Sequence, residues 1–230
     1  MRAYTYTIIA LVLNGCAYGL AHPEAPISHA DGAQNRENPI SAEEQTVPID
    51  SQHPMVRIHT NLGEITVQLD AVRAPLTVAA FLRHVDSHKY DNTSIYRIVP
   101  GYVIQAGNLD ADYSIRQEDS EDQQTVPNES GNGLSNLRGT IAMARLEAPH
   151  TGTYVFYFNL GNNTKLDPHP DRWGFAVFGH VVEGMDVLDR ISAMSIGEHK
   201  IPGTTDTLSN APLTPVTISK VEVVPVPGKE

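Results

Sequence analysis

The chain has 230 residues, enough for one large domain or two small ones, and its 40% apolar and 19% charged composition is that of a soluble globular protein. Its 27 acidic side chains outnumber 16 basic ones, a net charge of −11, which argues against nucleic acid as a partner and disfavours adsorption to an anionic membrane surface. The single cysteine, Cys16, excludes an internal disulfide framework and any cysteine-based zinc site.

The N-terminus, MRAYTYTIIALVLNGCAYGLAHPEA, reads as an address. Arg2 and the free amine form a positive n-region. Ala3 to Leu13 is a mostly apolar run, well short of the roughly 20 residues that span a bilayer but of signal-peptide length. Leu13-Asn14-Gly15-Cys16 resembles a bacterial lipobox, whose cysteine is lipidated and becomes the first residue. That outcome predicts a lipid anchor in the periplasm or at the outer membrane. The small residues Gly19 and Ala21 also permit ordinary cleavage after Ala21, which would release the chain; a buried N-terminal strand or helix is the alternative to both. Residues 1–21 are thus read as a signal, and 22–54, rich in Pro, Ser, Glu, Gln and Asn without apolar periodicity, as a flexible linker.

Folded signals begin near residue 55. VRIHT and EITVQLD alternate about Asn61-Leu62-Gly63 and predict a hairpin with Ile65, Val67 and Leu69 on one face. Pro75 opens PLTVAAFLRHVDSH, where Val78, Phe81, Leu82 and Val85 form one helical stripe behind an N-terminal proline. YRIVPGYVIQAGN (Tyr96 to Asn108) follows as two strands about Pro100-Gly101. Asn108 to Asn136 is polar and acidic, without calcium-loop spacing, and reads as a solvated loop. GTIAMAR, TYVFYFN (Thr153 to Asn159) and FAVFGHVV (Phe175 to Val182) read as strands. EGMDVLDRIS reads as a short helix burying Met185, Leu188 and Ile191. Ala193 to Leu213 reads as loop, and TPVTISKVEVV as a last strand. The expectation is one mainly β domain over residues 55–225, mostly antiparallel, with a tail at 226–230. A closed barrel capped by two helices satisfies it and leaves no sheet edge.

Most chemistry-bearing patterns are missing. Asp167, His169 and Asp171 cluster in a proline-rich loop but match no ligand triad, so no metal is expected. There is no G-x-S-x-G elbow, no dinucleotide fingerprint and no P-loop. What stands out is Arg97 and Gln105, a guanidinium and a carboxamide on strands otherwise apolar. On strand logic alone they could serve structure, Arg97 pairing with a carboxylate at a barrel rim and Gln105 capping a strand end.

From Met55 to about Val224 the order and spacing of YRIVPGYVIQAGN, NGLSNLRGTIAMAR and FAVFGHVVEGMDVLDRI, with the opening hairpin and the proline-led helix, resemble the cyclophilin-type peptidyl-prolyl cis-trans isomerases, in particular the exported bacterial ones. The resemblance implies a closed eight-stranded antiparallel barrel with two helices. It also implies rotation of X-Pro bonds in proline-containing polypeptide clients, assistance to folding, no cofactor, and a monomer. Arg97 matches the catalytic arginine and Gln105 the glutamine that holds substrate backbone and orients it. Tyr102, Val103, Tyr157 and Leu166 match the apolar pocket for the proline ring, Phe175 stands in the substrate site where many members have histidine, and Ala144 and Arg145 match the strand edge where substrate pairs. Tyr96 stands where the family usually has histidine, and tyrosines replace both pocket phenylalanines. Val155 replaces a glutamine that supports the arginine, and Lys165 an aromatic beside the pocket. These departures leave a second reading open, a module that binds proline-containing segments with little turnover.

Overall fold

The computed structural model describes residues 50–116 and 123–225. The signal, Cys16, the cleavage site after Ala21, residues 22–49 of the linker and the tail 226–230 lie outside the described residues. Residues at the end of the expected linker are held against the barrel: the Pro54 and Gln52 carbonyls accept hydrogen bonds from the Leu69 and Ala71 amides at 2.8 and 2.9 Å.

Ten strands and two helices are described: β1 (Met55–Thr60), β2 (Gly63–Leu69), α1 (Pro75–Asp86), β3 (Thr93–Val99), β4 (Val103–Asp110), β5 (Thr140–Met143), β6 (Phe156–Asn159), β7 (Val177–Glu183), α2 (Met185–Ser192), β8 (Ile196–Lys200), β9 (Thr207–Pro212) and β10 (Val216–Val224). Eight of them close into an antiparallel barrel in the order β1-β10-β3-β4-β6-β5-β7-β2, as the sequence predicts. β8 and β9 form a separate two-stranded sheet in the segment read as loop. That segment has no alternating apolar run; the hairpin is anchored from a distance, by the Tyr113 hydroxyl on the Pro212 carbonyl at 3.1 Å and the Tyr113 ring against His199.

Alternation sorts the barrel strands. Ile58, Ile65, Val67, Leu69, Ile98, Ile104, Ile141, Phe156, Phe158 and Phe178 point inward into one buried core. The α1 stripe closes on it through Val78, Phe81 and Val85, with Leu82 half-buried. On α2, Leu188 and Ile191 are buried as expected; Val187 is buried too, while Met185 is only partly so. Burying such side chains stabilises by about 1.5–3 kcal/mol each.

One loop residue has a structural task that composition hides. Ala74 caps α1 without a side-chain acceptor. Glu129, from the acidic segment, supplies it: its carboxylate accepts from the Leu76 amide (3.1 Å), the Thr77 amide (2.7 Å) and the Thr77 hydroxyl (2.7 Å). An anion at a helix N-terminus satisfies orphan N–H groups and the positive end of the dipole together.

Candidate active site

The β3–β4 turn builds the site. The Tyr102 amide donates to the Val99 carbonyl at 2.9 Å, and Gly101 has φ +70°, the left-handed backbone that a Pro-Gly turn requires at its second central residue. Upstream, Ile95 pairs with Ala106 but Arg97 pairs with Gln105, so β3 carries one residue more than β4. This is a β-bulge, and it resets the alternation. In an unbulged strand Arg97 would follow Ile95 to the inner face. The extra residue, Tyr96, turns Arg97 outward and returns Ile98 to the core.

On the outer face the register sets Arg97, Gln105, Tyr157 and Ala142 side by side on β3, β4, β6 and β5. Arg97 Nη1 donates to Gln105 Oε1 at 3.1 Å. Gln105 is only 5% exposed, and Tyr96, the residue before Arg97, is buried as well. Burial pushes the Tyr96 phenol far up, so it stays a neutral hydroxyl; burial draws the half-buried Arg97 guanidinium down, opposed by the Tyr96 and Tyr102 hydroxyls. A guanidinium starts so high that it remains a cation.

Beside this pair lies an apolar cluster distinct from the barrel core. Val103, Ala142, Ala144, Tyr157 and Val177 are buried in it, and Val99, Tyr102, Leu134, Val155, Leu166 and Phe175 pack against them. Six of the seven residues expected in the substrate site therefore meet in one cluster. Leu134, Ala142 and Val177 join them unannounced, because their outward placement depends on register and chain closure.

Arg145, the seventh, behaves differently. Its guanidinium lies over the Phe175 ring at 4.5 Å and donates to the carbonyls of Leu146 and Glu147 (2.8 Å each), Trp173 (2.8 Å) and Gly174 (3.1 Å). The side chain is a staple that fixes the Phe175 wall. The Ala144 amide is taken by the Val155 carbonyl at 2.8 Å, whereas the Arg145 amide and carbonyl have no hydrogen-bond partner among the described residues. Of the expected edge, Arg145 is the position left to pair with an added strand.

The tyrosine hydroxyl in the pocket is satisfied. Tyr157 donates to Asn136 Oδ1 at 2.8 Å, and Asn136 is fully buried. Asn136 Oδ1 also accepts from Asn159 at 3.1 Å, and its Nδ2 donates to Asp167 at 2.9 Å and to the Phe175 carbonyl at 3.3 Å. Partial burial pushes the Asp167 carboxyl up, but hydrogen bonds from Ser135 and Asn136 outweigh it and hold it below its ordinary value. Asp167 is thus committed to the pocket floor, and His169 pairs separately with Asp171 at the surface. Lys165 is exposed on the 3-10 turn Thr164–Leu166. Asn136 was missed by sequence reasoning although it lies within NGLSNLRG; its role needs four segments to converge. Among the described residues no group of three His, Cys, Asp or Glu side chains is placed to hold a metal, and no helix is long and apolar enough to cross a membrane.

A donor cation steadied by an amide, at the rim of an apolar patch and beside an unpaired main-chain edge, suits a polypeptide ligand that needs polarisation rather than covalent attack. The sequence model of the family described as "Cyclophilin type peptidyl-prolyl cis-trans isomerase/CLD" matches residues 55–223. The chain is 38% identical to "Peptidyl-prolyl cis-trans isomerase B" of Escherichia coli (strain K12) over 146 residues, 62% of this chain and 87% of that one. It is 34% identical to "Peptidyl-prolyl cis-trans isomerase A" of Dickeya dadantii (strain 3937) over 172 residues, covering 74% and 84%. A Cryptosporidium parvum cyclophilin type peptidyl-prolyl cis-trans isomerase shares the fold, with a TM-score of 0.58 at 20% identity over 76% of this chain and 99% of that one. The same protein was solved in the presence of the dipeptide Ala-Pro, with a TM-score of 0.56 at 20% identity over 74% of this chain and 98% of that one. The chain belongs to the cyclophilin-type peptidyl-prolyl cis-trans isomerases.

Proposed function

We propose that this chain accelerates rotation about X-Pro bonds in exported polypeptides and so assists their folding, with Arg97 as the catalytic group. Amide resonance sets a rotation barrier of about 18–20 kcal/mol. At X-Pro both isomers are populated, yet uncatalysed exchange takes tens of seconds or more. Twisting the bond localises the lone pair on nitrogen. A hydrogen bond from Arg97 to that nitrogen is stronger in the twisted state than in either planar one, which is what catalysis requires. No nucleophile, metal or cofactor enters the scheme.

The observation that carries the reading is the Arg97–Gln105 pair standing in register beside the outer apolar cluster. Tyr102, Val103, Tyr157, Leu166 and Phe175 would receive the proline ring, and the Arg145 main chain the substrate backbone. The client is a proline-containing polypeptide; the acidic chain is no match for nucleic acid, and a monomer suffices. Export rests on the lipobox at Cys16 or cleavage after Ala21. The first places the chain in the periplasm or at the outer membrane as a lipoprotein, the second releases it.

A protease-coupled prolyl-peptide assay tests the chemistry. Wild type should turn over at least 100-fold faster than Arg97→Ala, about 2.7 kcal/mol of transition-state stabilisation. Equal rates sink the enzymatic reading, and retained peptide binding with equal rates would establish the binding-module alternative. Intact mass of the membrane-fraction protein decides its processing: a diacylglyceryl-modified start at Cys16, a free start at His22, or neither.

A further inference from the structure

We infer that Asn163 is a positioning residue that sets the width of the proline pocket, holding its Tyr102 wall at a fixed distance from its Tyr157 wall and so limiting the ring size the pocket accepts. The inference rests on the reading of the outer apolar cluster as the pocket of an active prolyl isomerase. Asn163 stands at the N-cap of the 3-10 turn Thr164–Leu166, where an asparagine side chain ordinarily accepts from the free N–H groups; here it makes no such bond. Its NH2 is engaged elsewhere. One hydrogen bond runs to the Tyr102 carbonyl at 2.8 Å and one to Asn159 Oδ1 at 2.7 Å, which occupies both donors.

These two bonds start a chain of carboxamides with a fixed sense. A main-chain carbonyl only accepts, so the NH2 of Asn163, not its oxygen, faces Tyr102. Asn159 receives at Oδ1 and donates through Nδ2 to Asn136 Oδ1 at 3.1 Å; the same oxygen accepts the Tyr157 hydroxyl at 2.8 Å. Asn159 and Asn136 are fully buried, where a lost partner is costly to replace. Three side chains thus join one wall of the pocket to the other. The loop and the turn also meet main chain to main chain, since a Cβ on Gly161 would lie 2.6 Å from the Gly101 carbonyl. Without the Asn163 carboxamide, the Tyr102 carbonyl keeps the Leu160 amide at 2.8 Å but loses its link to Tyr157, and the walls can part.

The test uses the full chain as wild type, Asn163→Ala, Glu129→Ala and Arg97→Ala, with kcat and KM measured on two peptides that differ only in the ring: a prolyl peptide and its six-membered pipecolyl analogue. A tethered pocket resists the extra ring atom, and a freed one yields to it. Asn163→Ala should raise KM for the prolyl peptide about fivefold with kcat within twofold, and lower the prolyl-to-pipecolyl ratio of kcat/KM at least fivefold. Glu129→Ala, which loses the α1 cap instead, should leave that ratio within twofold of wild type, so a general loss of stability is not what moves it. An unchanged ratio in Asn163→Ala, or an equal change in Glu129→Ala, overturns the inference while the reading of the pocket stands. Wild-type turnover no faster than that of Arg97→Ala removes that reading, and the inference with it. Should Asn163→Ala not fold, wild-type NMR answers instead: Asn163 side-chain amide resonances that move on saturation with the prolyl peptide support the tether, and resonances that stay in place overturn it.

Discussion

Asn136 is where the fold and the pocket depend on each other most. Replacing it by alanine removes four side-chain hydrogen bonds from a fully buried position. Two dominate. The Tyr157 hydroxyl, itself buried, loses its acceptor, at about 1–3 kcal/mol; the charge-assisted bond to Asp167 contributes about 1.5–3 kcal/mol more. Asp167 retains the Ser135 hydroxyl and the Asn136 amide, so its carboxylate is not stranded. Asn136→Ala should therefore destabilise by about 3–5 kcal/mol, read as a fall in the urea midpoint at constant slope. The sharper expectation concerns sign. In wild type, Tyr157→Phe should cost about 1 kcal/mol, because Asn136 keeps its bond from Asn159. In the Asn136→Ala background the same change removes a stranded hydroxyl and should stabilise, giving a coupling of roughly 2–3 kcal/mol. An equal cost in both backgrounds would refute the claim that Asn136 is what satisfies the pocket tyrosine.

Glu129→Ala should lower Tm by roughly 3–6 °C through loss of the α1 cap, without altering KM for a prolyl peptide; a shift under about 1 °C would mean the helix end is satisfied otherwise. The Asp167 carboxyl is held below its ordinary value by Ser135 and Asn136, so its stabilising contribution is complete above its unfolded pKa and is lost as pH falls through the lower folded one. Stability should thus fall below about pH 4, and Asp167→Asn should flatten that acid limb in urea titrations; an unchanged limb would take Asp167 out of the account. Arg145→Lys should weaken peptide binding about tenfold with little change in kcat for bound peptide, because an ammonium cannot reach four loop carbonyls or stack on Phe175. A Kd within twofold of wild type would show that the Phe175 wall holds without its staple.

Much of this protein is written locally. Alternation marks the barrel strands, the i, i+3, i+4, i+7 stripe marks α1, and Pro100-Gly101 marks the turn, since each follows from backbone geometry within a few residues. Residue order alone also singles out Arg97 and Gln105 as polar groups out of keeping with their strands. Four features were beyond reach of such signals. The bulge at Tyr96 exists only relative to its partner strand, so no reading of β3 alone tells whether Arg97 faces the core or solvent. Arg145 looks like an accessible cation until Leu146, Glu147, Trp173 and Gly174 fold around it. Asn136 becomes a hub, and Ile196 to Pro212 a hairpin, only through contacts between segments far apart in the chain. Periodicity reports which face is apolar; which polar groups meet across strands is set by register and closure, and those belong to the folded barrel.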